Sequence, residues 1–333
     1  MGEDGAAVLA EFWGSTRCGE LVEEHLAGAT PEVLRSDMTI GEGFARLVER
    51  NILSALVERP KAPDGTKAGY CGLLSYRAVL EAFLEIYPKG SPRPDGLTAE
   101  QIAHIVQDSL NSRYNSLEEF CRQNKPSFIA VDNDDVLNVA LGFFVNGTHR
   151  LTVVDGQNNL VGTLTQSMVL KHLKQKMHPD LDFIVNETLE LLGLTNPERT
   201  VMSCFDSEPV LSAVSMIVKY DISSVAILDD RGLLTGSVSL SDIKYIFRFR
   251  RGDLLWAPLH DFLRAVREFQ SISEHSARDT FPYFGTHADK SLAHAINRMV
   301  LLKTHRLWIV DDFHHVRGCV SITDVIRKLA SLT

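Results

Sequence analysis

Two stretches of this chain share one register over twenty-one residues: THRLTVVDGQNNLVGTLTQSM at 148–168 and THRLWIVDDFHHVRGCVSITD at 304–324. In each, Thr-His-Arg-Leu opens a run that ends in Val-Asp, and a Gly stands fourteen positions after the Thr. A hydroxyl residue follows three positions later, Thr165 in one and Ser321 in the other. Self-similarity of this length constrains the fold more than any local propensity, because whatever the unit is, the chain must build it repeatedly. The same ruler finds a third copy, ISSVAILDDRGLLTGSVSLSD at 222–242, with Gly236 and Ser239 in place. A looser copy runs from Ile52 to Ala78; its Gly72 arrives six residues late, and Pro60, Pro63, Asp64 and Gly65 mark a longer turn.

Upstream of each copy lie apolar residues spaced i, i+4, i+7, i+8, one face of a helix. They are Ile40, Phe44, Leu47 and Val48, then Val136, Ala140, Phe143 and Phe144. Copies three and four give Val210, Val214, Ile217, Val218 and Leu292, Ile296, Met299, Val300. Downstream comes a second amphipathic helix, as in Val325, Ile326 and Leu329. The unit therefore reads as helix, strand, turn, strand, helix. A unit of roughly 55 residues buries too little surface to stand comfortably alone. Four of them imply pairwise packing, as two pairs with pseudo-twofold symmetry. The expected organisation is an N-terminal segment 1–29, copy one at 30–87, a connection 88–127 within the first pair, and copy two at 128–178. A linker 179–199 joins the pairs at Pro179, Gly193, Asn196 and Pro197; copy three follows at 200–252, a connection at 253–278 and copy four at 279–333.

Composition narrows the function classes. Of 333 residues 44% are hydrophobic and 23% charged, ordinary values for a globular chain. The formal net charge of -9 argues against nucleic acid as a partner. Cys18, Cys71, Cys121, Cys204 and Cys319 are scattered and odd in number, which predicts buried free thiols in a reducing compartment. No apolar stretch is long enough for a membrane helix, and the acidic start MGEDGAAVLAEFWG lacks the basic region of a signal peptide. The expectation is a soluble protein of the cytoplasm, the nucleus or both. Phe12 and Trp13 are expected to pack on the body of the protein.

A βαββα unit ending in Gly-x-h-Ser/Thr-x-x-Asp resembles the CBS (cystathionine-beta-synthase) domain, and Gly236–Asp242 and Gly318–Asp324 match that ending in full. Four such copies resemble the gamma regulatory subunit of AMP-activated protein kinase, including plant gamma-like subunits. The resemblance implies an α/β (α+β) fold of four CBS repeats arranged as two pseudo-twofold pairs, or Bateman modules, in a disc. It implies that His149-Arg150 and His305-Arg306 help to hold adenylate phosphates, with Ser223 in the equivalent place of copy three. It also implies regulatory ligands (AMP, ADP or ATP) and no catalytic cofactor, with a protein kinase catalytic subunit and a beta-type scaffold as partners. Copy one departs from the family pattern with Ala78 for the ribose-binding Asp and Leu53 for a phosphate-binding Arg. Copy two has Met168, preceded by Ser167 where a Lys is typical. The site built on Asp324, with His305, Arg306 and His149 nearby, is the best preserved.

These residue types suit a nucleoside phosphate. A carboxylate at Asp324 or Asp242 can accept from both ribose hydroxyls, while Ser321, Thr323, Ser239 and Ser241 can donate to phosphate beside the N–H groups at a helix start. A guanidinium offers forked donors, and an imidazole can be tuned by the phosphate charge. The competing account of Ser/Thr-x-x-Asp is a helix capping box, and that of His-Arg is a strand pair pointing to opposite faces. An exposed cap can also bind ligand, so both accounts stay open. His314-His315 reads as a solvated loop, and Arg248-Phe-Arg-Arg251 as a solvated helix end. No P-loop, dinucleotide or hydrolase signature is present, so the chain reads as a non-catalytic nucleotide sensor. The alternative is a scaffold with degenerate pockets.

Overall fold

The structure is a computed structural model that describes residues 3–26, 31–60, 69–93, 98, 101, 108, 111–124, 128–176, 179–195, 200–274 and 285–333. The turn at Pro63, Asp64 and Gly65 and the linker residues Asn196 and Pro197 lie outside them.

Each copy builds a three-stranded sheet of one topology: a short first strand parallel to the second, and the second antiparallel to the third. In chain order these are β1 Val33–Arg35, β2 Ser54–Glu58 and β3 Tyr70–Ser75; then β4 Ala130–Asp132, β5 Arg150–Val154 and β6 Leu160–Thr165. Copies three and four give β7 Ser203–Phe205, β8 Ser224–Leu228 and β9 Leu234–Ser239, then β10 Gly285–Thr286, β11 Arg306–Val310 and β12 Val316–Ser321. The repeated glycine sets the register. Val57, Val153, Ile227 and Ile309 face Gly72, Gly162, Gly236 and Gly318, and in every copy a register shift follows immediately. A bulge at the same place in four sheets bends the hairpin in the same way each time.

The helix before each hairpin ends alike too. Asn51, Gly147, Asp221 and Lys303 all take positive φ, and the next N–H reaches back to Leu47, Phe143, Ile217 or Met299 respectively, at 3.1–3.2 Å. That is the six-to-one bond of a Schellman turn, and it fixes where the following strand starts. Helices Ile40–Arg50, Val210–Lys219 and Leu292–Leu302 bury the first three expected apolar positions and leave the fourth half-buried. Copy two corrects the expected face by one residue. Its helix begins at Leu137, whose N–H donates to Thr16 O at 2.9 Å, and it buries Leu137, Ala140, Leu141 and Phe144, leaving Val136 and Phe143 half-buried.

The copies gather into two compact units, and not in chain order. One unit holds copies one and three, the other copies two and four with the N-terminal segment. Helices Tyr76–Ile86 and Leu240–Arg248 of the first unit pack on Val210–Lys219 and Ile40–Arg50 respectively. Phe44 centres this core, 4.9 Å from both the Tyr76 and the Phe247 ring. The second unit joins Gln166–Gln175 to Leu292–Leu302 and Ile322–Ala330 in the same manner. Its core includes Trp13, buried and in edge contact with Phe12, so those two rings do pack on the body. Each fully buried side chain of this size contributes about 1.5–3 kcal/mol.

What ties each unit together was not visible in the repeat. Cys18 and Gly19, which precede copy one, donate to Asp135 O and Asn133 O of copy two at 2.8 and 2.9 Å. Leu117 and Glu118, which precede copy two, donate to Met38 O and Ser36 O of copy one at 2.8 and 3.0 Å. Leu189 and Glu190 make the same pair of bonds to Lys290 O and Ala288 O of copy four, and Leu259 and His260 to Glu208 O and Asp206 O of copy three. Consecutive copies thus exchange their leading segments. The spans expected as plain connections carry cover helices, Leu117–Asn124 against β3 and Leu259–Glu274 beside Leu240–Arg248. Helix Cys18–Leu26 lies on β6 so closely that any Cβ at Gly162 would run into Val22 and Leu26.

Candidate functional site

In the unit of copies two and four, the Schellman turns deliver His149 to the head of β5 and His305 to the head of β11. The backbone of each is tied to the start of its own second helix: Gln166 N donates to His149 O at 3.3 Å, and Ile322 N to His305 O at 3.0 Å. Those helices, Gln166–Gln175 and Ile322–Ala330, pack on one another, so the two His-Arg pairs share one neighbourhood.

Gln166 is the hinge of this neighbourhood. Its amide is buried, and Nε2 donates to Phe144 O at 3.2 Å and Thr148 O at 3.0 Å. Its Oε1 accepts from Thr323 Oγ1 of copy four at 2.9 Å and lies 3.3 Å from His149 Nδ1. An amide oxygen can only accept, so in this contact His149 Nδ1 is the donor. His305 is exposed at the head of its strand, with Arg150 and His149 as charged neighbours. Desolvation by nearby protein atoms, the Arg150 charge and then His149 push its pKa down to about 4. Arg150 itself is desolvated, which lowers its guanidinium from the ordinary value. The centre therefore combines a confined positive charge with two imidazoles, a field that favours an anion.

The two arginines part company. Arg150 acts on His305, whereas the Arg306 guanidinium is laid over the buried Trp308 ring, 5.6 Å from its centroid. Two positions on, the same face of the strand carries Trp308 after Arg306 but Thr152 after Arg150.

Both acids form reciprocal caps. Asp324 Oδ2 accepts from Ser321 N at 2.9 Å and Ser321 Oγ at 2.6 Å, while Asp324 N donates to Ser321 Oγ at 3.2 Å. Asp242 Oδ2 accepts from Ser239 N and Oγ at 2.8 and 2.6 Å. Burial raises the Asp242 pKa, and the Ser239 bonds oppose that rise. Copies one and two keep only the hydroxyl half of the cap, with Ser75 and Thr165 accepting from Ala78 N and Met168 N. Asp324 Oδ1 faces Arg327 at 3.6 Å, and Arg327 also donates to Val145 O of copy two.

Ser223, Ser239, Ser241 and Asp242 belong to the other unit, with copy one. There the residue matching Thr323 is Arg77, whose guanidinium donates to Ile217 O and Ile222 O at 3.0 and 2.9 Å and pairs with Asp221 at 2.8 Å. It seals the C-terminal end of helix Val210–Lys219. Sequence reasoning missed both Arg77 and Gln166, although a signal existed. The position after the capping hydroxyl is Tyr76, Leu240 and Ile322 in three copies and an amide only in copy two. The next is Ser167, Ser241 and Thr323 in three copies and a cation only in copy one.

The remaining candidates fall to structural roles. His315 Nδ1 lies 3.5 Å from Asp311 Oδ2 in the turn. That acid, however, organises the turn: despite some desolvation, the His315 and Phe313 N–H groups and Arg317 hold its pKa at about 2. Among the described residues no three His, Cys, Asp or Glu side chains gather as metal ligands. Arg251 of the Arg248–Arg251 run pairs with Asp253 at 2.9 Å. No helix of the described residues is long and apolar enough to cross a membrane.

The CBS-domain family model matches residues 122–175, 196–248 and 282–331, which hold copies two, three and four. The chain thus contains CBS domains. Copy one of this CBS-domain chain repeats the same sheet topology and bulge despite its longer turn. The chain is 28% identical over 316 residues to Protein SDS23 of Eremothecium gossypii, covering 91% of this chain and 61% of that relative, so it spans about three-fifths of the relative's length. A protein of Methanocaldococcus jannaschii, described as a candidate archaeal homolog of g-AMPK, aligns with TM-score 0.65 at 13% identity, over 94% of this chain and 99% of its own. The two share a fold. The structure of CBSX2 in complex with AMP covers 49% of this chain and all of its own length, at 16% identity and TM-score 0.33.

Proposed function

We propose that this chain is an adenine-nucleotide sensor of the cytoplasm or nucleus, whose ligand centre is the His-Arg neighbourhood of copies two and four. Supporting this is one observation above all: His149, Arg150 and His305 converge where Gln166 and Thr323 join the two copies. A phosphate bound there would meet the Arg150 charge and the two imidazoles. The nucleotides differ in phosphate charge, so each would stabilise one arrangement of this centre by a different amount. Only such differential affinity can move an equilibrium. Occupancy would be passed to a protein kinase complex, through a catalytic subunit and a beta-type scaffold.

A scaffold without nucleotide binding is the second reading. It is favoured by the two acids, each of which already commits an oxygen to a cap, and by Arg77, which commits the copy-one position to carbonyls. Calorimetric titration of the chain with AMP, ADP and ATP separates the two. The sensor reading expects saturable heat with at least one nucleotide, and Arg150→Ala and His305→Ala each weakening it about tenfold or more, the scale of one charge-assisted contact. A folded wild-type chain that gives no heat with any of the three leaves the scaffold.

A further inference from the structure

We propose that Cys71 and Cys121 form a redox pair, oxidised to a disulfide that fastens cover helix Leu117–Asn124 to strand β3. The cover helix that carries Cys121 packs against the strand that carries Cys71, and both residues lie on one apolar core although fifty positions separate them in sequence. Cys121 is buried at 2% exposure on the inner face of its helix, whereas Cys71 is only partly buried and open to a reagent. Cys71 Sγ donates to Val57 O at 3.4 Å.

Copy one alone brings sulfur to both sides of this contact. Counting four residues from the tied backbone N–H, Cys121 corresponds to Val22 on the cover of copy two and Leu263 on that of copy three. The strand position before the glycine, Cys71 here, is Val161 and Thr235 in those copies. The other cover contacts therefore have no equivalent chemistry. Arg59 and Glu118, paired at 3.6 Å, are charged neighbours of both thiols.

Burial raises both thiol pKa values, Cys121 to about 12, so the resting pair is protonated and reacts slowly with mild oxidants. With hydrogen peroxide as oxidant, the Cys71 sulfur attacks one peroxide oxygen, giving Cys71 sulfenic acid and one water. The Cys121 sulfur then displaces the sulfenic hydroxyl, which leaves as a second water with the Cys121 proton. Two thiols lose two electrons and two protons, and one peroxide becomes two waters. The product closes a loop of about fifty residues, and cross-links over long loops restrain the unfolded chain most.

The experiment treats the full-length chain, folded and dilute, with hydrogen peroxide and then blocks remaining thiols. Expected are a loss of two hydrogens in intact mass, one linked peptide carrying Cys71 and Cys121, and a higher denaturation midpoint that a dithiol reductant reverses. Cys319→Ser leaves the link unchanged. Cys121→Ser removes it and lets Cys71 take up two or three oxygens instead. A wild-type map in which Cys71 is oxygenated without a 71–121 link overturns the proposal, as does a link to Cys319. That map is read on the unaltered chain, so it stands even where a variant folds poorly.

Discussion

At the scale of single residues, His305 carries the sharpest consequence. Its folded pKa of about 4 lies below the ordinary 6.5, so between these values the unfolded chain takes up a proton that the folded chain refuses. The contribution of His305 to stability is full above pH 6.5 and is lost progressively as the pH falls toward 4. Denaturant midpoints of the wild type should therefore drop between pH 7 and pH 5 more than those of His305→Gln. A bound phosphate reverses the preference by favouring the imidazolium. Nucleotide affinity should accordingly rise as pH falls over the same window, and buffers of different ionisation enthalpy should reveal the proton taken up. Arg77 offers a contrast in the other unit, since its guanidinium is three-quarters buried against the Ile217 and Ile222 carbonyls. Arg77→Met should cost about 2 kcal/mol of stability, the range for hydrogen bonds to a charged group, while leaving nucleotide titrations unaltered.

At the scale of elements, the repeat proved legible wherever one residue enforces geometry locally. The glycine that fixes the bulge and the left-handed residue that ends the first helix recur at constant spacing, so hairpins and helix ends could be placed by counting. The caps were legible for the same reason, and Ser321 with Asp324 shows the capping geometry that spacing alone suggested. Copy two slipped by one position because Thr16, more than a hundred residues away, accepts from Leu137 and starts the helix late. The cover helices could not be read at all. Their bond to each sheet is tertiary, and the strings at 18–26, 117–124 and 259–274 share no motif. Paired glycine substitutions test the covers. Gly162→Ala should cost about 1–3 kcal/mol, since the added methyl meets Val22 and Leu26 of the cover. Gly318→Ala, whose nearest neighbour would lie at 3.8 Å, should be neutral or slightly stabilising when both are compared by chemical denaturation.

At the scale of the molecule, the grouping of copies decides which candidate residues can cooperate. Pairing by chain order would have put Asp242 and Ser223 with His305; the compact units instead set His305 with His149 and Arg150. Contact order is therefore high, with each core assembled from both halves of the chain. If residues 1–176 and 179–333 are expressed separately, neither piece contains a whole core. Each should expose apolar surface alone, and the two should associate one to one when co-expressed, as size-exclusion chromatography would report. Two halves that elute as stable, separate monomers would contradict the division into units. The swapped leading segments also restrict how such a chain can change over generations. Deleting one copy strips the cover from its neighbour while leaving that copy's own cover without a sheet, so a single deletion damages two domains at once. Repeats joined in this way are gained or lost in twos, and parity, not length, is what selection would have to preserve.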